Sequence, residues 1–335
     1  MKFSINTKIC KINDNSLDFA KNLILNNELV AFPTETVYGL GAIATSDDAV
    51  LKIFNTKGRP QDNPLIVHVH SNYDITSLVY EEYDYVQKLK KAFLPGPLTL
   101  VYKSKGAVSK LVSCGLDTVA IRVPESSSAQ EFLKAVNVPI AAPSANVSKH
   151  TSPVTAEHVY NDLNGKIELI LDGGKCSGGI ESTVLDVTSE VPVILRSGLI
   201  TYDMIVSVVG KCRYSKNTDT EKVKSPGVKY SHYLPKCQTA LFKRSEVDKA
   251  IDLYNKTVLE GKTPYFMADD EILKSLTGYN QLRLGKTGKD IASNLYFKLL
   301  EGEKIADVII AFDVETGSDI DVGIMNRLEK ACKRY

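Results

Sequence analysis

The chain has 335 residues, 43% hydrophobic and 24% charged, long enough for two domains and apolar enough to bury a core. Its 41 basic side chains stand against 40 acidic ones, a net charge of +1 that argues against a protein whose main task is coating nucleic acid. Six cysteines, at 10, 114, 176, 212, 237 and 332, include no C-x-x-C pair, which speaks against a zinc site or a dithiol centre.

At the N-terminus, MKFSINTKICKIN lacks the apolar stretch of a signal peptide, and no run approaches the roughly 18 apolar residues of a membrane span. Free thiols in a reducing, cytoplasmic compartment are the expectation. Apolar spacing predicts a helix over Ser16–Leu29, followed by VAFPT as a strand entering a turn. Ser46–Phe54 reads as a helix opened by a Ser/Asp cap. PLIVHV and LTLVYK read as strands, with a helix over Ser77–Phe93 between them. TVAIRVP follows as a strand, Ala129–Val136 as a helix, and PIAAPSAN as a strand running into a loop. ELILDGG and STVLDV flank a glycine-rich turn, and VPVILRSG ends the series at Arg196. Interleaved helices and strands predict one α/β domain over residues 1–210.

The polar, proline-bearing stretch CRYSKNTDTEKVKSPGVKYSHYLPK then reads as a linker, over residues 211–235. The alternation resumes over 236–335. TALFK, PYFMA and ADVIIAF are predicted strands, and Ser245–Leu259, Ile291–Leu300 and Asp321–Cys332 are predicted helices of a smaller domain. No internal repeat is evident.

Neither a G-x-x-x-x-G-K-[ST] loop nor a dinucleotide fingerprint is present, and LGKTGK has the wrong spacing for a phosphate loop. Chemistry-bearing residues are instead scattered over loops of the first domain. PTETVYGLG carries Thr34 and Thr36, and KGRPQDNPL carries Lys57, Arg59 and Asn63 on a loop stiffened by two prolines. His68 and His70 alternate along a strand and so face opposite sides, whereas Thr118 and Arg122 share a strand face. PSANVSKHTSP supplies Ser144, Asn146 and Ser152, GIESTVLD supplies Ser182 and Thr183, and LRSG supplies Arg196. Such a set suits a polyanion beside a small polar molecule. No Ser-His-Asp or Cys-His set points to a covalent intermediate, so positioning and charge stabilisation are the expected strategy.

PTETVYGLG, KGRPQDNPL, IRVP, APSANVS and ESTVLD, in this order, resemble the YrdC-domain family. SPGVKYSHYLP and the closing GIMNRLEKA resemble its longer members, the L-threonylcarbamoyladenylate synthases. The resemblance implies a twisted open mixed α/β sheet of YrdC type around a basic cavity, plus a smaller Rossmann-like C-terminal domain. It implies a nucleotidyltransferase making threonylcarbamoyl-AMP and pyrophosphate from L-threonine, bicarbonate and ATP, for threonylcarbamoyl-adenosine modification of tRNA. The product would pass to a tRNA threonylcarbamoyl transferase, with no stable nucleic-acid binding and no membrane partner required. By the same resemblance, Thr36, His68, Arg122, Ala142 and Ser182 would hold threonine. Arg59, Asn63, Thr118, Ser144, Ser152, Arg196 and Tyr230 would hold ATP, with Tyr233 the alternative to Tyr230. Lys57 and Arg59 would be the catalytic pair, Lys57 lying at the phosphates or the bicarbonate. Mg²⁺ would accompany ATP, bound chiefly by its phosphate oxygens rather than by protein, with no organic cofactor. The linker and second domain would gate the site.

The chain departs from the pattern at Lys149, where many relatives have glycine, at Ala142, where some have threonine, and at Val154. Two other readings fit the sequence less well. A hydrogenase-maturation carbamoyl transferase would carry Cys-paired zinc modules, which are absent from the sequence, and an RNA-binding module would be more basic or carry an aromatic stacking motif.

Overall fold

The computed structural model describes residues 5–80, 82–215 and 233–335. Tyr230, Pro226 and Gly227 of the predicted linker lie outside the described residues. Among those described, eleven strands form one mixed sheet: β1 (Lys8–Lys11), β2 (Val30–Phe32), β3 (Gly39–Ile43), β4 (Ile66–His68), β5 (Leu98–Lys103), β6 (Thr118–Arg122), β7 (Ile140–Ala141), β8 (Leu169–Asp172), β9 (Thr183–Asp186), β10 (Val193–Arg196) and β11 (Arg213–Tyr214). Their order is β1-β8-β2-β3-β7-β4-β6-β5-β9-β10-β11. β4 runs parallel to β6 and antiparallel to β7, so strands distant in sequence become neighbours at the centre.

Both faces of this sheet are covered. On one, Leu23 and Ile24 of the helix Asp14–Leu25 and Phe132, Leu133 and Val136 of the helix Ser127–Val136 pack on Val30, Phe32 and Ile140. Each such fully buried side chain contributes about 1.5–3 kcal/mol. The other face carries a larger core that continues into the second domain through Ile291, Leu295, Ile324 and Leu328. That domain is a parallel sheet of β12 (Gln238–Phe242), β13 (Pro264–Ala268), β14 (Gln281–Arg283) and β15 (Val308–Phe312), ordered β12-β15-β13-β14. Parallel strands joined by helices make it Rossmann-like, as expected. No described helix is long and apolar enough to cross a membrane.

Two departures from expectation have local causes. The helix predicted from Ser77 begins only at Asp84, because Leu78 and Val79 bury themselves beside the end of β5, where Val79 bridges Ser104. GLGAI, read as part of a loop, is strand β3: a Cβ at Gly41 would sit 2.9 Å from Ile140 Cγ2, so glycine lets neighbouring strands close up. In LGKTGK, Thr287 caps the helix Gly288–Gly302 and receives the Asp290 backbone N–H.

Candidate active site

The site forms where strand ends and loops of the first domain meet. The helix Asp47–Lys57 is capped by the Ser46 hydroxyl and stopped by Gly58, and the turn that follows delivers Arg59. Arg59 then bends back on its own loop, donating to the carbonyls of Asn63 (3.2–3.3 Å) and Pro64 (3.2 Å). At the sheet centre, Arg122 is the register partner of both His68 and Thr99, which aligns the three across adjacent strands. Thr99 Oγ1 lies 2.7 Å from Ser182 Oγ. Arg196, at the end of β10, donates through Nε and one terminal nitrogen to the Ser182 carbonyl, at 3.1 and 2.9 Å.

These elements line an open cavity with about 670 Å³ of space, its solvent-filled mouth included. Arg59, His68, Arg122, Ala142, Ser144, Ser152, Ser182, Arg196 and Tyr233 all line it, joined by Thr34, Asn146, His150 and Glu181. The remaining candidates stand outside the lining. Thr36 lies directly behind Thr34, their hydroxyls 2.9 Å apart. Thr118 is buried on the Arg122 face of β6, at the other end of the strand. Asn63 is buried, with neither side-chain amide atom partnered among the described residues. Lys57 lies behind the PSAN loop, its ammonium on the carbonyls of Ser144 (2.5 Å) and Asn146. Lys149 is exposed. The alternation of histidines holds: His68 is buried at the cavity, and His70 bonds Asn137 elsewhere.

Electrostatics separate the walls. Burial, with Arg122 nearby, pushes the His68 imidazole down to about 3, so it is neutral near pH 7, its Nδ1 lying 3.2 Å from the Ile66 carbonyl. Arg122 pairs with buried Glu35 at 2.7 Å, while its Nε is buried without a partner among the described residues. Burial lowers Arg59 to about 10, still charged at neutral pH. Burial also drives Lys57 well below the usual lysine range, reinforced by Arg59.

Sequence reasoning missed four participants: Glu35, Glu181, Tyr296 and Arg327. Glu181 accepts from Ser152 at 2.7 Å and from Tyr296 of the second domain at 2.9 Å. It also accepts from Arg327 Nε at 3.1 Å. A signal was present, since Arg327 sits among apolar neighbours on one helix face, Ile324 and Leu328.

His150 is clamped between domains, 2.7 Å from Asp162 and 3.0 Å from Glu303. Burial opposes its charge, but the hydrogen bonds and charges of the two carboxylates prevail and raise it from the ordinary 6.5 to about 9. This contribution to stability is full below about pH 6.5 and fades as pH rises through about 9. Thermal unfolding from neutral to alkaline pH should show a steeper loss for the parent protein than for His150→Gln; parallel curves would exclude the clamp.

With this geometry in place, comparison with known proteins is direct. Residues 22–198 match the Sua5/YciO/YrdC family model, described as telomere recombination. Residues 200–332 match the model described as threonylcarbamoyl-AMP synthase, C-terminal domain. The chain is 41% identical to the threonylcarbamoyl-AMP synthase of Pyrococcus abyssi over 96% of its own length and 95% of the relative's. It is 42% identical to that of Bacillus subtilis, over 95% and 93%. The crystal structure of P. abyssi Sua5 complexed with L-threonine superposes with a TM-score of 0.86 at 40% identity, covering 98% of this chain and 96% of that one. The chain belongs to the Sua5/YciO/YrdC family and carries its threonylcarbamoyl-AMP synthase C-terminal domain.

Proposed function

We propose that the protein is an L-threonylcarbamoyladenylate synthase, a nucleotidyltransferase that uses ATP to activate threonine-derived carbamate for tRNA modification. The observation that carries this reading is the Arg122 guanidinium. Glu35 holds one of its terminal nitrogens, while the buried Nε has no partner among the described residues, a place that an amino-acid carboxylate would fill. Neutral His68, with Ser182 and Ala142, borders the same end of the cavity and can bond a small polar substrate without adding charge. Thr36 supports this end from behind, through Thr34.

The threonine amine attacks bicarbonate, giving the carbamate and water. A carbamate oxygen then attacks the α-phosphorus of ATP, and the bond to pyrophosphate breaks. Arg59 and Arg196, with Ser144 and Ser152, form the nucleotide side, and Arg59 is the catalytic cation at the α-phosphate. Asn63 fixes the Arg59 fork through its carbonyl. Lys57 fixes the loop that presents Ser144, and Thr118 supports β6 from its far end. Tyr233, the described alternative to Tyr230, borders the cavity. Both oxygens of the lining carboxylate Glu181 are engaged by Ser152, Tyr296 and Arg327, which fits Mg²⁺ held by the triphosphate rather than by this side chain.

The division into a catalytic domain over 1–210, a connector over 211–235 and a C-terminal domain over 236–335 belongs to the same proposal. So do hand-over of the product to a tRNA threonylcarbamoyl transferase and a cytoplasmic location, where the six free cysteines stay reduced. Incubation with ATP, Mg²⁺, threonine and labelled bicarbonate should release pyrophosphate only when both threonine and bicarbonate are present. Release independent of threonine would refute the reading.

A further inference from the structure

We propose that Arg327, carried by the second domain, is a positioning residue of this reaction: through Glu181 and Ser197 it sets the part of the cavity wall that presents Ser152 and Arg196. The proposal rests on the synthase reading above and extends it to a residue with no part in the family's implied ligand set. In the sequence the string GIMNRLEKA carries a family resemblance and no evident chemistry.

In the structure, Arg327 is fully buried, between Ile324 and Leu328 on a helix otherwise closing a hydrophobic core. Its Nε donates to Glu181 Oε2 at 3.1 Å, and one terminal nitrogen donates to the carbonyls of Ser197 and Gly323. Those contacts fall at two telling places. Ser197 follows Arg196, and Glu181 precedes Ser182, whose carbonyl Arg196 itself grips. The other Glu181 oxygen takes the Ser152 hydroxyl at 2.7 Å. One guanidinium from the far domain therefore ties Glu181, and through it Ser152, to the stretch of chain that carries Arg196. Stability alone is a poor reason to keep a buried ion pair, because apolar residues of similar volume do as well or better. Holding side chains of a site in register is a reason that survives that comparison.

The groups facing Glu181 are Arg327 and Lys330 from the helix Ile320–Ala331, Tyr296 from the helix Gly288–Gly302, Arg196 from β10, Ser152, and Tyr233. Burial works to protonate Glu181, and Arg327, then Arg196 and the Ser152 hydroxyl, hold it at about 2. Without Arg327 its pKa rises. Once protonated, it would donate where it now accepts from Ser152 and Tyr296, and the wall would shift on the acid side of neutrality.

The test uses the full chain and pyrophosphate release between about pH 5.5 and 8.5. Arg327→Met should raise KM for ATP by about ten- to a hundredfold, leave KM for threonine within about twofold, and add an acid limb to the profile. Arg327→Lys, which keeps the charge, should restore the acid side. The double variant Glu181→Gln/Arg327→Met should lose the acid limb, because glutamine does not titrate. An unchanged ATP KM and profile in Arg327→Met overturns the proposal. So does an equal loss for both substrates with an unshifted profile, the mark of a purely structural role. If Arg327→Met does not fold, the other two variants decide: a retained acid limb in the double variant, or parental ATP KM in both, overturns it. A parent protein that releases no pyrophosphate would instead remove the synthase reading itself.

Discussion

Arg122→Met should lose threonine-dependent pyrophosphate release by about 10²- to 10³-fold, the usual cost of removing one preorganised donor from a reacting centre. Two separate physical effects stand behind this number. The first is local to the cavity, where the guanidinium supplies positive charge beside a His68 that is itself neutral and adds none. The second is stability. Arg122 and Glu35 are only 4% and 9% exposed, and removing one partner leaves a buried carboxylate uncompensated, at about 3–5 kcal/mol. The backbone N–H groups of Glu125 and Ser126, at 3.1 and 3.4 Å from Glu35 Oε2, offset only part of that. The two effects come apart in the double variant Glu35→Gln/Arg122→Met, which should recover most of the melting temperature and none of the activity. Kinetics at saturating ATP with varied threonine, beside thermal unfolding, make the measurement. Parental turnover in the double variant would show that Arg122 serves the fold alone.

Gly179→Ala should destabilise the protein by about 2–5 kcal/mol, combining left-handed strain with overpacking. Gly179 has φ of +72°, and an added Cβ would meet the Ala292 carbonyl and lie 2.5 Å from Ser293 Cα. Both obstacles are backbone of the helix Gly288–Gly302, which cannot swing aside as a side-chain tip could. The helix would have to lift, taking Tyr296 away from Glu181. Gly174→Ala is the control. It shares the positive φ, at +83°, but its Cβ would meet nothing within 4 Å, so strain of about 1–2 kcal/mol is the whole expected effect. Equal melting temperatures for the two variants would mean that this helix is not seated on the Gly179 loop as described.

Most regular elements were legible because their burial follows a simple period. LTLVYK, TVAIRVP and VPVILRSG have the β-branched runs of buried strands, and Ala129–Val136 carries its apolar residues on one helical face. Residues 77–80 misled because Leu78 and Val79 fit helical spacing yet find a better burial beside β5, a tertiary choice no local period reveals. The cavity-lining arginines stood out in sequence, Arg122 and Arg196 as charges after apolar strand runs and Arg59 in the proline-stiffened loop KGRPQDNPL. Lys57 looked the same in sequence, but the fold turns it onto two backbone carbonyls behind the loop. Glu181 stands in GIESTVLD beside two hydroxyl residues that suit a ligand site better on sequence alone. Its importance comes from Arg327 and Tyr296, more than 100 residues away, and such long-range pairing leaves no trace in local pattern.

The alignment of His68, Arg122 and Thr99 across neighbouring strands has a consequence for how this protein can change over time. Side chains alternate along a strand, so inserting or deleting one residue within β6 ahead of Arg122 would send the guanidinium to the opposite face, into the larger core that holds Val119 and Ile121, and bring an aliphatic group into the cavity. Loops around the cavity can lengthen or shorten gradually, whereas this row can drift only by exchanging one side chain for another, with every strand length held constant.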